Sequence, residues 1–90
     1  MSGGHFDYNC YNISRFAEDL KEDIAINNVK DEYGYSYDYL PETITRLNVI
    51  QQIIESAGKL AYAAEWLYSG DYGEETFADD VDKILGGVEA

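Results

Sequence analysis

Carboxylates at helical spacing are the residues of this chain with the most chemical capacity. Glu18, Asp19, Glu22 and Asp23 fall on adjacent helical rows, and Asp79, Asp80 and Asp82 form a second such group. Clustered carboxylates can hold a divalent cation or carry out acid–base work, but a solvated helix face accounts for them more simply. Nothing resembles an EF-hand loop, because Asp71-Tyr72-Gly73-Glu74-Glu75 is too short and wrongly ordered. The only histidine, His5, follows Gly3 and Gly4, yet after loss of Met1 it stands fourth, one place too late for an amino-terminal copper or nickel chelate. It is expected to pack or hydrogen-bond near the start of the first helix.

The only cysteine, Cys10, has no disulfide partner and no metal quartet, and reads as a small buried apolar residue. A Cys10/His5 nucleophilic pair lacks an orienting group and an oxyanion loop. Gly70 and Gly73 make no phosphate loop, since no strand precedes them and Asp71, Glu74 and Glu75 repel phosphate. The expectation is therefore a protein that is not an enzyme and carries no cofactor and no metal.

Charge restricts the partners. Eighteen Asp and Glu stand against six Lys and Arg, a net charge of −12, which disfavours direct nucleic-acid binding and anionic membranes. An apolar fraction of 46%, with 14% aromatic residues, places the chain among folded proteins rather than acidic disordered tails. Ninety residues allow one domain, stable alone or helped by self-association. The N-terminus lacks the basic and apolar regions of a signal peptide and no apolar run is long enough to span a membrane, so a cytoplasmic location is expected.

Three elements must position these groups. Ile13, Phe16, Leu20 and Ile24 recur at helical spacing and predict a first helix over 8–27 with an acidic outer face. Residues 28–40 form a connection in which Tyr33, Tyr35, Tyr37 and Tyr39 alternate with Gly34, Ser36 and Asp38. With no second strand to pair with, it reads as extended, its tyrosines either covering the core or forming a partner-binding patch. Pro41 opens a second helix, over 41–69, whose Leu47, Ile50, Ile54, Ala57, Ala61, Ala64 and Tyr68 follow a 3-4 repeat, with Ile44, Ile53, Leu60 and Leu67 widening the stripe. Such a helix is about 40 Å long and serves as the spine. Gly58 weakens it by about 1 kcal/mol relative to alanine, and with Ala57 and Ala61 makes a narrow surface suited to close packing, within the chain in the first instance and between chains otherwise.

A third helix, over 74–86, carries Phe77, Val81, Ile84 and Val88 on its apolar face; Gly86 and Gly87 are expected to fray its end, and Asp71 with Glu74 resembles a capping box at its start. The fold expected is all-α, a single helical domain over 1–90: a long central helix, two shorter amphipathic helices packed on it, and a flexible N-terminus over 1–7. The acids then lie on two outer faces, about 20 to 30 Å apart, a spacing compatible with mimicry of a nucleic-acid backbone.

The opening Met1-Ser2-Gly3-Gly4-His5-Phe6-Asp7-Tyr8 and the later Trp66-Leu67-Tyr68-Ser69-Gly70-Asp71-Tyr72-Gly73-Glu74 resemble a family of small bacteriophage and prophage proteins, with an MSGGHF[DN]Y start and a WLxSGDxGE segment. The resemblance covers both ends of the chain and leaves the Tyr-rich middle unmatched. It supplies no catalytic residues. It implies an accessory protein that binds and inhibits a host defence or nucleic-acid-processing protein, of the anti-restriction or anti-CRISPR type. The surfaces expected to meet a basic host protein are Glu18, Asp19, Glu22, Asp23, Asp79, Asp80 and Asp82, with Tyr33, Tyr35 and Tyr37. Two alternatives remain open: an oligomer that sequesters a small ligand or nucleotide between protomers, and a structural or regulatory phage protein that works as a homodimer along the spine.

Overall fold

The computed structural model describes residues 4–89, and of 87–89 the backbone alone. Three helices follow one another: α1 (Cys10–Ala25), α2 (Pro41–Tyr68) and α3 (Glu74–Glu89), with no strand among the described residues. Helices α1 and α3 each pack on α2 and make no contact with each other. The fold is thus all-α around a long central helix. Residues 1–3 and the Val88 side chain, read above as lead-in and apolar face, lie outside what is described.

Local chemistry sets the helix ends. Leu40 is extended and Pro41 opens α2, where a missing N–H has no consequence. At the other end, Gly70 adopts φ 86°, Gly70 N–H bonds the Leu67 carbonyl at 3.2 Å, and Asp71 N–H bonds the Trp66 carbonyl at 2.9 Å. That pair of bonds is a Schellman stop. Asp71 N–H thus closes the end of α2, and α3 starts at Glu74 with Phe77 N–H on the Gly73 carbonyl. The expected fraying at Gly86 does not occur, and helical backbone continues to Glu89.

The α1–α2 seam differs from the apolar stripe expected of it. The buried residues of α2 are Gln51, Gly58, Ala63 and Glu65, and three of these stand seven apart on one line. Facing them on α1 are the small residues Cys10, Ser14 and Ala17. A Cβ built on Gly58 would lie 2.6 Å from Ser14 Oγ and 3.2 and 3.3 Å from its backbone N and Cα, so glycine is what lets the helices approach this closely. Gln51 Nε2 donates to the Ala17 carbonyl at 3.2 Å and to Glu55 Oε2 at 3.0 Å, which satisfies a buried amide. Phe16, expected on the buried face of α1, is 59% exposed, and Ile50 and Tyr68, expected on the spine's stripe, are also exposed. The reason is geometric: close backbone approach fills the seam with short side chains and leaves long ones at its margins.

The molecule measures 50 × 29 × 12 Å along its principal axes, with a radius of gyration of 16.6 Å. A compact 90-residue domain has about 12 Å. The helices therefore form a single layer. Gly58→Ala is expected to lower unfolding free energy by about 1–3 kcal/mol, despite alanine's better helix propensity, because Ser14 backbone must move. Urea denaturation monitored by circular dichroism measures it.

Candidate interaction surface

The two terminal motifs meet at one end of α2. Glu65, fully buried, accepts Phe6 N–H at Oε2 (2.6 Å) and Tyr8 N–H at Oε1 (3.0 Å). His5 N–H donates to Ser69 Oγ at 3.1 Å, and the His5 ring stacks on Tyr68 at 5.1 Å. Asp7 and Tyr8 adopt φ 56° and 57°, a left-handed conformation costing non-glycine residues about 1–2 kcal/mol each. That backbone turns the Phe6 and Tyr8 N–H groups toward the Glu65 carboxylate, while the Asp7 N–H between them donates to the Gly4 carbonyl at 3.1 Å. From Gly4 onward the segment expected as flexible is docked. Tyr8, Tyr11, Tyr62 and Trp66 then pack ring against ring, with Tyr62 and Trp66 stacked at 4.4 Å.

Sequence reasoning missed Glu65, a positioning residue for the whole N-terminal segment. Its signal lay in the seven-residue spacing Gln51, Gly58, Glu65, three non-aliphatic residues on one line of the helix.

The acidic residues divide between two flanks. Glu18, Asp19, Glu22 and Asp23 are all exposed on α1, and Asp79 and Asp82 are exposed on α3. Asp80 is turned inward, half-buried and hydrogen-bonded with the Tyr72 side chain, so it is not part of the outer face. Lys59 pairs with Glu55 at 3.9 Å on α2, and among the described residues the acids of α1 stand in no such ion pair. No group of three or more His, Cys, Asp or Glu among them is placed to hold a metal.

The Tyr-rich connection is ordered by two side chains. Asp31 Oδ1 accepts Tyr33 N–H at 2.8 Å and Tyr35 N–H at 3.0 Å, closing a turn at Gly34 (φ 83°). The Asn27 amide pairs in both directions with the Tyr39 backbone, at 3.1 and 3.2 Å. The alternating segment is therefore a loop folded back on the end of α1. Tyr33 and Tyr35 are each 76% exposed and cover no core, while Tyr37 and Tyr39 stack at 5.8 Å. Asp23 joins this loop to the acidic face: it lines a groove with Leu20, Ile24, Tyr37, Tyr39 and Ile44, and a second hollow with Tyr35 and Tyr37. Through Asp23 the acidic face of α1 thus adjoins Tyr35, Tyr37 and Tyr39, whereas the acids of α3 stand apart.

Comparison with protein families, curated proteins and solved structures finds no match to this chain. Among the described residues no helix is long and apolar enough to cross a membrane.

Burial pushes the Cys10 thiol above its ordinary 9.0, and the neighbouring Glu65 carboxylate adds to the shift. Burial and then the Asp80 charge raise the Tyr72 hydroxyl above 10.0. A raised acid keeps its proton in the folded chain where the unfolded chain has lost it, so this contribution is complete below the unfolded value and lost as pH rises through the folded one. Denaturation midpoints are expected to hold steady to about pH 8.5 and fall above about pH 9, with Cys10→Ala delaying the fall until the tyrosines titrate. Glu65→Gln sets an amide N–H₂ against one of two backbone donors and is expected to cost about 2–4 kcal/mol, read from the urea midpoint.

Proposed function

We propose that this chain is a non-catalytic inhibitor that docks on a basic surface of a host protein, through the acidic face of α1 and the adjoining tyrosines. The observation that carries this reading is the uncompensated placement of acids at the wrong end of a helix. Glu22 and Asp23 stand in the last turn of α1, which contains no basic residue, against the negative end of the helix dipole. Each such placement costs about 0.3–1 kcal/mol. Solubility alone is served as well by acids in the first turn, where they stabilise a helix, and the first turn of α1 has none. Acids held at a cost, beside two almost fully exposed tyrosines, fit an interface built for a cationic partner, since aromatic anchors and steering charges are the usual working parts of such surfaces.

The resemblance of both termini to small phage proteins makes a host defence or nucleic-acid-processing protein the partner class. Nucleic-acid mimicry is the form this takes if the partner's basic surface is its own DNA or RNA groove. The acids of α1 act with Tyr33, Tyr35 and Tyr37, and the exposed acids Asp79 and Asp82 extend the field on the other flank.

The test separates binding from solubility. The combined variant Glu18→Gln, Asp19→Asn, Glu22→Gln, Asp23→Asn is expected to raise the melting temperature by a few degrees, about 1–2 kcal/mol, while losing capture of a basic protein from host lysate at low salt. Capture by the unaltered chain should weaken steeply as salt is raised. Capture that is unchanged by the four substitutions, or indifferent to salt, contradicts the proposal.

A further inference from the structure

One face of α2 is only partly covered by its neighbours, with Leu60, Ala64 and Leu67 half-buried and the rest exposed. Around the helix axis, the line through Gln51, Gly58 and Glu65 meets α1, and Glu55 and Lys59 face α3, where they border a groove with Lys83 and Ile84. The remaining third carries Ile50, Ile53, Ala57, Leu60, Ala64 and Leu67, at steps of three and four that make an unbroken heptad seam. Ile50 is 45% exposed, Ile53 is 55% exposed and Ala57 is exposed, with Val49 and Tyr68 exposed at the margins. In a chain of charge −12, this face holds no charged residue from Leu47 to Tyr68: Glu55 and Lys59 point elsewhere and Glu65 is buried. The apolar stripe of an amphipathic helix is the face that meets another element, yet here part of that stripe meets water.

We infer that a second copy of this chain covers that face, as an antiparallel two-fold homodimer along α2. Area favours a second copy. The accessible surface of the chain is 6742 Å². A compact monomer of 10.2 kDa exposes about 5,300 Å², which leaves an excess of about 1,400 Å². A stable pair removes about 800 Å² from each partner, so the excess is more than one such interface needs. Domains bury a core between two layers, and this chain supplies only one. Shape selects the direction. Antiparallel pairing sets Ile53 against Ala64 and Ala57 against Leu60, bulky on small at the centre of the seam, with Ile50 against Leu67 at its ends, whereas parallel pairing sets isoleucine on isoleucine and alanine on alanine, alternately too wide and too narrow. An apolar interface without charges is also what homodimers use, and a cationic partner would find nothing to pair with here. The acids of α1 stay outside the contact, so this inference does not depend on the identity of any host partner.

Light scattering of the purified full-length chain at roughly 1 to 100 µM tests it, a range in which dimers of standard interface size associate. The expected mass is that of two 10.2 kDa chains. Raising salt should strengthen the pair by screening two like-charged copies, the opposite of its effect on capture of a basic partner. Ala57→Glu buries a carboxylate from each copy at the seam, against Leu60 of the other copy, and should weaken association on the order of 100-fold, with helicity checked by circular dichroism. Because that variant can also lose its fold, a second measurement decides independently. Ile53→Cys/Ala64→Cys should give a disulfide-linked dimer under mild oxidation, while Ile53→Cys alone should not; within one chain the two sites are about 16 Å apart, too far to bridge. A monomer at 100 µM in the unaltered chain overturns the inference, as does a dimer indifferent to Ala57→Glu. Cross-linking through Ile53→Cys alone overturns the antiparallel arrangement.

Discussion

A buried carboxylate between two backbone amides is the constraint on which the rest of this structure depends. Glu65 lies on the α1–α2 seam with no exposed surface, and a lone charge there would be costly enough to prevent folding. It is tolerated because the chain brings Phe6 and Tyr8 across from the other end of the sequence, their N–H groups at 2.6 and 3.0 Å. Those two bonds fix the left-handed turn at Asp7 and Tyr8 and set where α1 starts. Cys10 then falls beside Glu65, Ser14 on Gly58 and Ala17 on Gln51, all from one register. Buried ionic contacts contribute modestly to net stability but tolerate no alternative register, because any slip leaves the charge unpaired.

Consequences follow along the chain. A seam lined with Cys, Ser, Ala and Gly brings two helix backbones close and buries few large side chains; among the described residues the fully buried apolar ones are Cys10, Ala17 and Ala63. Aromatic rings at the Glu65 end compensate, tying the N-terminal turn, α1 and the α2–α3 corner into one cluster through Tyr11, Tyr62, Trp66 and Tyr72. The far end of the helix pair has no such cluster. There the loop over 28–40 is held by Asn27 and Asp31, and it presents tyrosines outward beside the acids of α1. One end of the layer is thus tied together by packed rings, and the other carries exposed tyrosines beside acids.

Much of this was legible in the sequence. Periodicity located three helices to within a few residues, Pro41 and Gly70 marked their limits, and the opening residues from His5 to Tyr8 dock at the Glu65–Ser69 end of α2. What periodicity could not reveal is which of several apolar faces is covered. Ile50, Ile53 and Phe16 read as core because they are apolar and regularly spaced, yet α1 chose the line containing glycine, where its backbone comes closest. Glu65 and Gln51 give no apolar signal at all; only donors and acceptors dozens of residues away make them interior. Asp80 likewise read as part of an acidic face, and Tyr72 draws it inward.

Amide hydrogen exchange of Phe6 and Tyr8, followed by NMR, tests the central role of this contact most directly. If the Glu65 carboxylate holds both donors as part of the cooperative fold, their amides exchange as slowly as those at the middle of α1, through global unfolding alone. Exchange of these two amides at the rate of an open turn, while α1 and α2 stay protected, would contradict the account.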